Sequence, residues 1–363
     1  MKTERRHDID WLRVIAIALL LIYHIAIVFQ PWAMFVGFVR SEEPLTALWV
    51  PMTILNVWRI PILFFVSGMG LFFAMRKRNY KQLIAERTKR ILLPFVFGFI
   101  AISPLHMFVF QRFFGLPMQY YPHAGHLWFL GNIFIYVLLF LPAFYLLKNR
   151  KGERLKKWIN IMMKNPAGPL LISVFFIAEA LLVQPQIYSI YAETWHGFFL
   201  GAIAFFLGYI LVYSGNEFWF TVKKFSGLYL VFGAILFGVR FVEFNSEAPG
   251  YLMSLESICW IMGVFGLVYR FLNEPSKILN YLSQAAYPVY IIHMAVLYLG
   301  TLIISPLAID PFLEFILITL FTFLVCFGLY ELVIRRVRIL RPLFGLKIQP
   351  REVKAPEALI EKA

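Results

Sequence analysis

Ten long apolar stretches alternate with short polar ones along the chain, at about 11–30, 49–75, 91–112, 126–147, 168–185, 196–213, 226–242, 251–272, 285–304 and 313–334. A helix needs roughly 17–25 mainly apolar residues to cross a bilayer. The pattern therefore predicts an all-α, polytopic integral membrane protein of ten helices. The second stretch is long and contains Arg59 and Pro61, so it is expected to begin irregularly or to kink there. Residues 1–345 read as a single transmembrane domain, with 346–363 as a short polar tail.

Polar residues inside the stretches are the candidates for chemistry, because an ionisable group in hydrocarbon is costly. The first stretch holds Arg13 and His24, eleven positions apart. Eleven steps make three helical turns plus about 20°, with a rise of roughly 16 Å, so both side chains lie on one face. Arg13 is near enough to the helix end to snorkel, whereas His24 is too deep. Asp10, one turn before Arg13, is placed to hold the guanidinium. In the second stretch Ser67, Gly68 and Gly70 let a neighbouring helix or a thin ligand approach closely. His126 opens the fourth stretch beside Trp128, a residue type that anchors helices at the interface. Tyr290 and His293, three apart, are placed to form a hydrogen-bonded pair lining a passage.

Composition sharpens the picture. The chain is 61% hydrophobic and 15% charged, with a mean hydropathy of +0.74. A net charge of +14 would point a soluble protein toward nucleic acid. Here the bases gather in alternate loops (76–90, 148–157, 223–224, 277 and 335–338), which is a topology signal instead. Both termini are then cytoplasmic and the number of spans is even. That topology gives Arg59, His126, Glu179, Arg240 and Glu256 one depth in the outer half, and predicts a shared hydrated chamber. On the basic side Arg87 and Arg90 share a helix face and suit either a phosphorylated ligand or anionic lipid. Cys259 and Cys326 offer neither a disulfide framework nor a metal spacing. The short basic start before the first stretch looks like a signal peptide, but with no small-residue cleavage site it reads as a retained span.

Taken together, the motifs resemble the membrane acyltransferase family 3. They are Asp10-x-x-Arg13 with ten residues to His24, Arg59 before Phe64-Phe-Val-Ser-Gly68, and Arg87-x-x-Arg90-Ile-x-x-Pro94. His126-Leu-Trp-Phe-Leu130, Glu256-Ser257, Tyr290-x-x-His293 and Leu329-Tyr-Glu331 follow in the family order. Ile133 stands where large branches of the family carry a glutamate, so the nearest branch is similar to the osmoregulated periplasmic glucan biosynthesis protein C group. The resemblance implies a ten-span enzyme of a bacterial inner membrane. It would take an acetyl or succinyl group from cytoplasmic acyl-coenzyme A and deliver it to a hydroxyl of an outer-face glycan, with no metal or resident cofactor. It makes His24 a general base or transient acyl carrier, with Arg13 and Asp10 beside it. Arg59, His126, Glu256, Trp128, Tyr290 and His293 would serve the acceptor side. Arg87, Arg90, Ser67 and Gly68 would serve acyl-coenzyme A. The rival reading is a transporter or flippase, which also uses intramembrane His, Arg and Glu; no paired halves with broken helices are visible in the sequence.

Overall fold

The computed structural model describes residues 5–148 and 152–348. Most of the expected tail, from 349 onward, and part of the basic loop after Lys148 lie outside them. Among the described residues there is no strand, and the helices are α1 (His7–Val28), α2 (Thr46–Arg76), α3 (Tyr80–Phe113) and α4 (Gly125–Lys148), then α5 (Glu153–Met162) and α6 (Ala167–Val183). They continue as α7 (Trp195–Ser214), α8 (Glu217–Phe244), α9 (Gly250–Phe271), α10 (Lys277–Leu307) and α11 (Pro311–Ile334). Among the described residues nine are long and apolar enough to cross a membrane by themselves, and α5 with α6, bent by 110°, brings the number to ten if the pair is one broken span. The protein is a polytopic membrane protein.

Local chemistry sets several boundaries. Asn79 and Gln82 form a reciprocal capping box at the start of α3. Thr194 caps α7, Ser276 caps α10, and Asp310 accepts from two amides at the start of α11. The irregular start of the second stretch is real. α2 breaks after Asn56, and Trp58, at φ −127°, leads into a second piece that begins at Arg59. Pro61 falls in the first turn of that piece, where its missing N–H costs little. α3 contains two π-helical turns, Thr88–Leu92 and Gly98–Ile102, the first of which carries Arg90.

The helices sort into an inner and an outer set. The most apolar windows of α2 and α10 are 78% and 72% buried, against 22% for α8 and α11. Leu182, Val242 and Leu324 point outward with most of their surface exposed, as lipid-facing positions should. α1 lies between α2 and α10, and α2 packs closely on α7. Glycines allow that second contact. A Cβ on Gly68 would overlap the Phe205 carbonyl of α7, and one on Gly208 would overlap the Phe65 carbonyl of α2.

Candidate functional site: a histidine cluster beside an unpaired arginine

α1, α4 and α10 bring His24, His126 and His293 together. His293 is fully buried, and its Nδ1 lies 2.6 Å from the Tyr290 carbonyl oxygen. A carbonyl only accepts, so Nδ1 of His293 carries the proton and donates. The neutral ring then has its lone pair on Nε2, which is 2.9 Å from Nδ1 of His24. His24 must be the donor in that bond. Its own lone pair is left on Nε2, which takes no hydrogen bond among the described residues. The two rings lie nearly parallel, at 8°, with centroids 5.2 Å apart. A backbone carbonyl thus sets the tautomer of His293, and His293 sets that of His24.

His126 meets the cluster edge-on, its ring centre 4.9 Å from that of His293. Its Nε2 donates to the Ile291 carbonyl at 3.1 Å, leaving Nδ1 as an enclosed acceptor with no protein partner. The Tyr290 hydroxyl donates to the His126 carbonyl at 2.5 Å, so the expected Tyr290–His293 pair forms through backbone oxygen rather than through the phenol. Two further histidines extend the array. His106 of α3 lies 5.9 Å from His126, and His123 lies 5.0 Å from His106, centre to centre. Burial holds His123 below the usual histidine range, against the pull of the Tyr121 carbonyl and Glu193.

Arg59 opens the second piece of α2 and is 7% exposed. Its guanidinium lies on the Tyr23 ring, 3.4 Å from the centroid. The polar contact is a long one, 3.5 Å to Asn56 Oδ1, and Nε is enclosed without a partner. Among the described residues no carboxylate pairs with it, although it is close enough for its charge to act on His24. A buried cation held by an aromatic face, with donors left over, is poised for an anion or an oxyanion.

A second cation group lies at the basic end of the bundle. Glu86 takes Arg78, Arg87 and Arg90 at 3.6, 3.4 and 3.1 Å, so three guanidiniums share one carboxylate. Asp10 lies 2.8 Å from Arg5 and 3.7 Å from Arg13. Arg13 rests on Gly70 of α2, keeps 36% of its side chain accessible, and lies within electrostatic reach of Arg90. The Tyr287 hydroxyl is enclosed without a partner close to Arg87 and Arg90. The cluster has an excess of positive charge, with donors to spare.

The family model of the acyltransferase domain Acyl_transf_3 matches residues 6–331. The chain belongs to the acyltransferase-3 family. No curated protein and no solved structure matches it.

Within this acyltransferase-3 chain some expected roles change. Glu256 does not face His24. Both its oxygens bind Arg240, at 2.6 and 3.0 Å, and the pair is almost wholly buried. Glu179 is likewise held, by Nδ1 of His196 at 2.9 Å, while Nε2 of His196 reaches the Tyr188 carbonyl at 3.0 Å. The charges expected in one chamber therefore separate into two closed pairs and the histidine cluster. Trp128 packs into the bundle rather than standing at its surface. It is buried against Phe64, with ring centres 5.9 Å apart. Gly68 is occupied by helix packing, and Ser67 donates to the Leu63 carbonyl of its own helix at 2.8 Å. Ser67 keeps its acceptor capacity and is half-buried.

The sequence reading missed Glu86, His106, His123 and His196. His106 had a signal, since a histidine inside an apolar stretch is suspect on the same grounds as His24.

Proposed function

We propose that the protein is a membrane-embedded O-acyltransferase that moves an acetyl or succinyl group from acyl-coenzyme A to a hydroxyl of a glycan. The donor arrives on the side of the basic loops, read as the cytoplasm by the positive-inside rule, and the acceptor on the opposite face of a bacterial inner membrane. The glucan-modifying branch of the family is the reading of its specificity.

The observation that carries this proposal is the open Nε2 lone pair of His24, with its tautomer held through His293 by the Tyr290 carbonyl. A base backed by a second hydrogen-bonded group is the arrangement that activates a hydroxyl. In the step we propose, His24 Nε2 takes the proton of the acceptor hydroxyl as its oxygen attacks the thioester carbonyl. The carbon–sulfur bond then breaks, and the same proton passes to the departing thiolate. Product ester and free coenzyme A leave His24 neutral again. Arg59 faces the acyl end, where its spare donors suit the tetrahedral oxyanion or the free carboxylate of a succinyl group. His126 offers Nδ1 to the acceptor hydroxyl. Arg13, Arg87 and Arg90 suit the phosphates of coenzyme A, each guanidinium being able to bind two oxygens.

The test uses the purified protein in lipid nanodiscs with labelled acetyl- and succinyl-coenzyme A and cell-envelope glycans. Wild type should acylate glycan and release coenzyme A, and His24→Ala should lose roughly 10²–10⁴-fold in rate. A correctly inserted His24→Ala protein with wild-type transfer would overturn the role of His24. Wild type that moves a solute and releases no coenzyme A would overturn the enzyme itself.

A further inference from the structure

A cavity of about 220 Å³ lies at the end of the bundle opposite the basic loops, where α2, α6, α8 and α9 meet. We infer that it is a subsite for a neutral, polyhydroxylated ligand, a single sugar unit of a longer chain, and that it holds the acyl acceptor next to the histidine cluster. The acceptor role rests on the acyl-transfer reading; sugar binding at the cavity does not.

The chemistry of the walls argues for that ligand class. Asn56, Gln184, Gln186 and Ser189 line the space with amides and a hydroxyl. None of their side chains makes a hydrogen bond among the described residues apart from the long contact of Asn56 Oδ1 with Arg59. These groups both donate and accept, which matches hydroxyls better than a charged ligand. Trp49 adds an indole, set at 76° against Trp32 with ring centres 6.0 Å apart. An aromatic plane beside convergent amides suits a ring with apolar C–H faces and polar edges.

Charge argues the same way. Arg240 lines the cavity, but four of its five N–H donors are used. Nε and Nη2 bind Glu256, Nη1 binds the Ser246 carbonyl, and Nη2 also reaches the Thr53 carbonyl at 2.9 Å. The guanidinium is thus neutralised by a buried carboxylate, and the exposed Glu247 stands at the rim. An anionic ligand would find no cation without a carboxylate among the lining residues, and one carboxylate against it.

Position links the cavity to the reaction. Asn56 is the last residue of the first piece of α2, and Arg59 begins the second, so the same broken helix lines the cavity and carries the cation beside His24.

The experiment measures binding without any donor. Wild type in nanodiscs is titrated with laminaritetraose, a neutral glucose oligomer, and with a galacturonic acid tetramer of similar size and negative charge. Trp49→Ala and Gln186→Leu are titrated alongside, with thermal melting to verify that both are folded. The neutral sugar should bind at least about tenfold more tightly than the acidic one, and each substitution should weaken it by about tenfold or more. Unchanged binding in two folded variants, preference for the acidic sugar, or no binding to wild type would each overturn the subsite. With acyl donor present, the same variants should raise the KM for glycan and leave that for acyl-coenzyme A alone. If wild type binds the sugar as expected but turns over no acyl donor, the acyl-transfer reading fails and the sugar site stands.

Discussion

The Arg240–Glu256 pair is buried and the His24–His293 pair partly so; both join residues of different helices, and both rest on a backbone carbonyl. They differ in what they leave over. Arg240 and Glu256 satisfy each other, with Ser246, Thr53 and Trp260 taking what remains. His24 and His293 satisfy each other and still leave His24 Nε2 with a lone pair to give, beside a guanidinium that has no carboxylate. A closed pair adds specificity to the fold, because breaking it strands a charge in a dry place. An open pair can accept a proton. What distinguishes the two pairs is unfilled hydrogen-bonding capacity.

The largest effect should come from opening the closed pair. Arg240→Ala leaves Glu256 buried without its cation, at a cost of about 3–5 kcal/mol. The expected outcome is a large drop in melting temperature or a poor yield of folded protein. Arg240→Ala protein that melts like wild type would erase the distinction. Next is the open pair. His293→Leu removes the acceptor that orients His24, and kcat should fall on the order of 10²-fold with little change in donor KM. His293→Gln offers Oε1 to the same His24 Nδ1 and should restore part of the loss. Equal rates for Leu and Gln would reduce His293 to a filler of space.

A smaller effect tests the packing against which both pairs are set. Gly68→Ala drives a methyl group into the Phe205 carbonyl of α7, and should cost about 1–3 kcal/mol in thermal stability. If Gly68 held acyl-coenzyme A instead, donor KM would rise and melting would be unaffected. The smallest effect is in acid. His123 has a pKa below its ordinary value in the folded protein, so it stays neutral while an unfolded chain would protonate near pH 6.5. Its contribution is complete above that pH and is lost as pH falls below it. The melting temperature of wild type should therefore decline more steeply below about pH 6.5 than that of His123→Gln.

The helices were legible because hydropathy acts locally and uniformly along the chain. The break in α2 was legible for the same reason, since Arg59 and Pro61 are both near it. His24 stood out because a lone imidazole deep in an apolar run is expensive wherever its partner is. That partner was not legible. His293 lies 269 residues away, and no local pattern states which distant helix lies beside α1. The same gap hid the pairing of Glu179 with His196 and of Arg240 with Glu256, so charges that neutralise each other read as a common chamber. Trp128 misled for another reason. Tryptophan is amphipathic, and sequence position near a helix end cannot distinguish a headgroup site from a pocket against Phe64.

α5 has a consequence for how the molecule sits in its bilayer. It turns by 110° into α6 and exposes Leu155, Trp158 and Ile161 beside the basic residues Arg154 and Lys157. A short helix of that kind floats, its apolar side in the acyl chains and its bases among the headgroups. It gives the bundle a waterline on the basic side, fixed by the chain itself. A thicker or thinner bilayer must then take up its mismatch at the far end, where the amide-lined cavity would ride higher or lower relative to the surface.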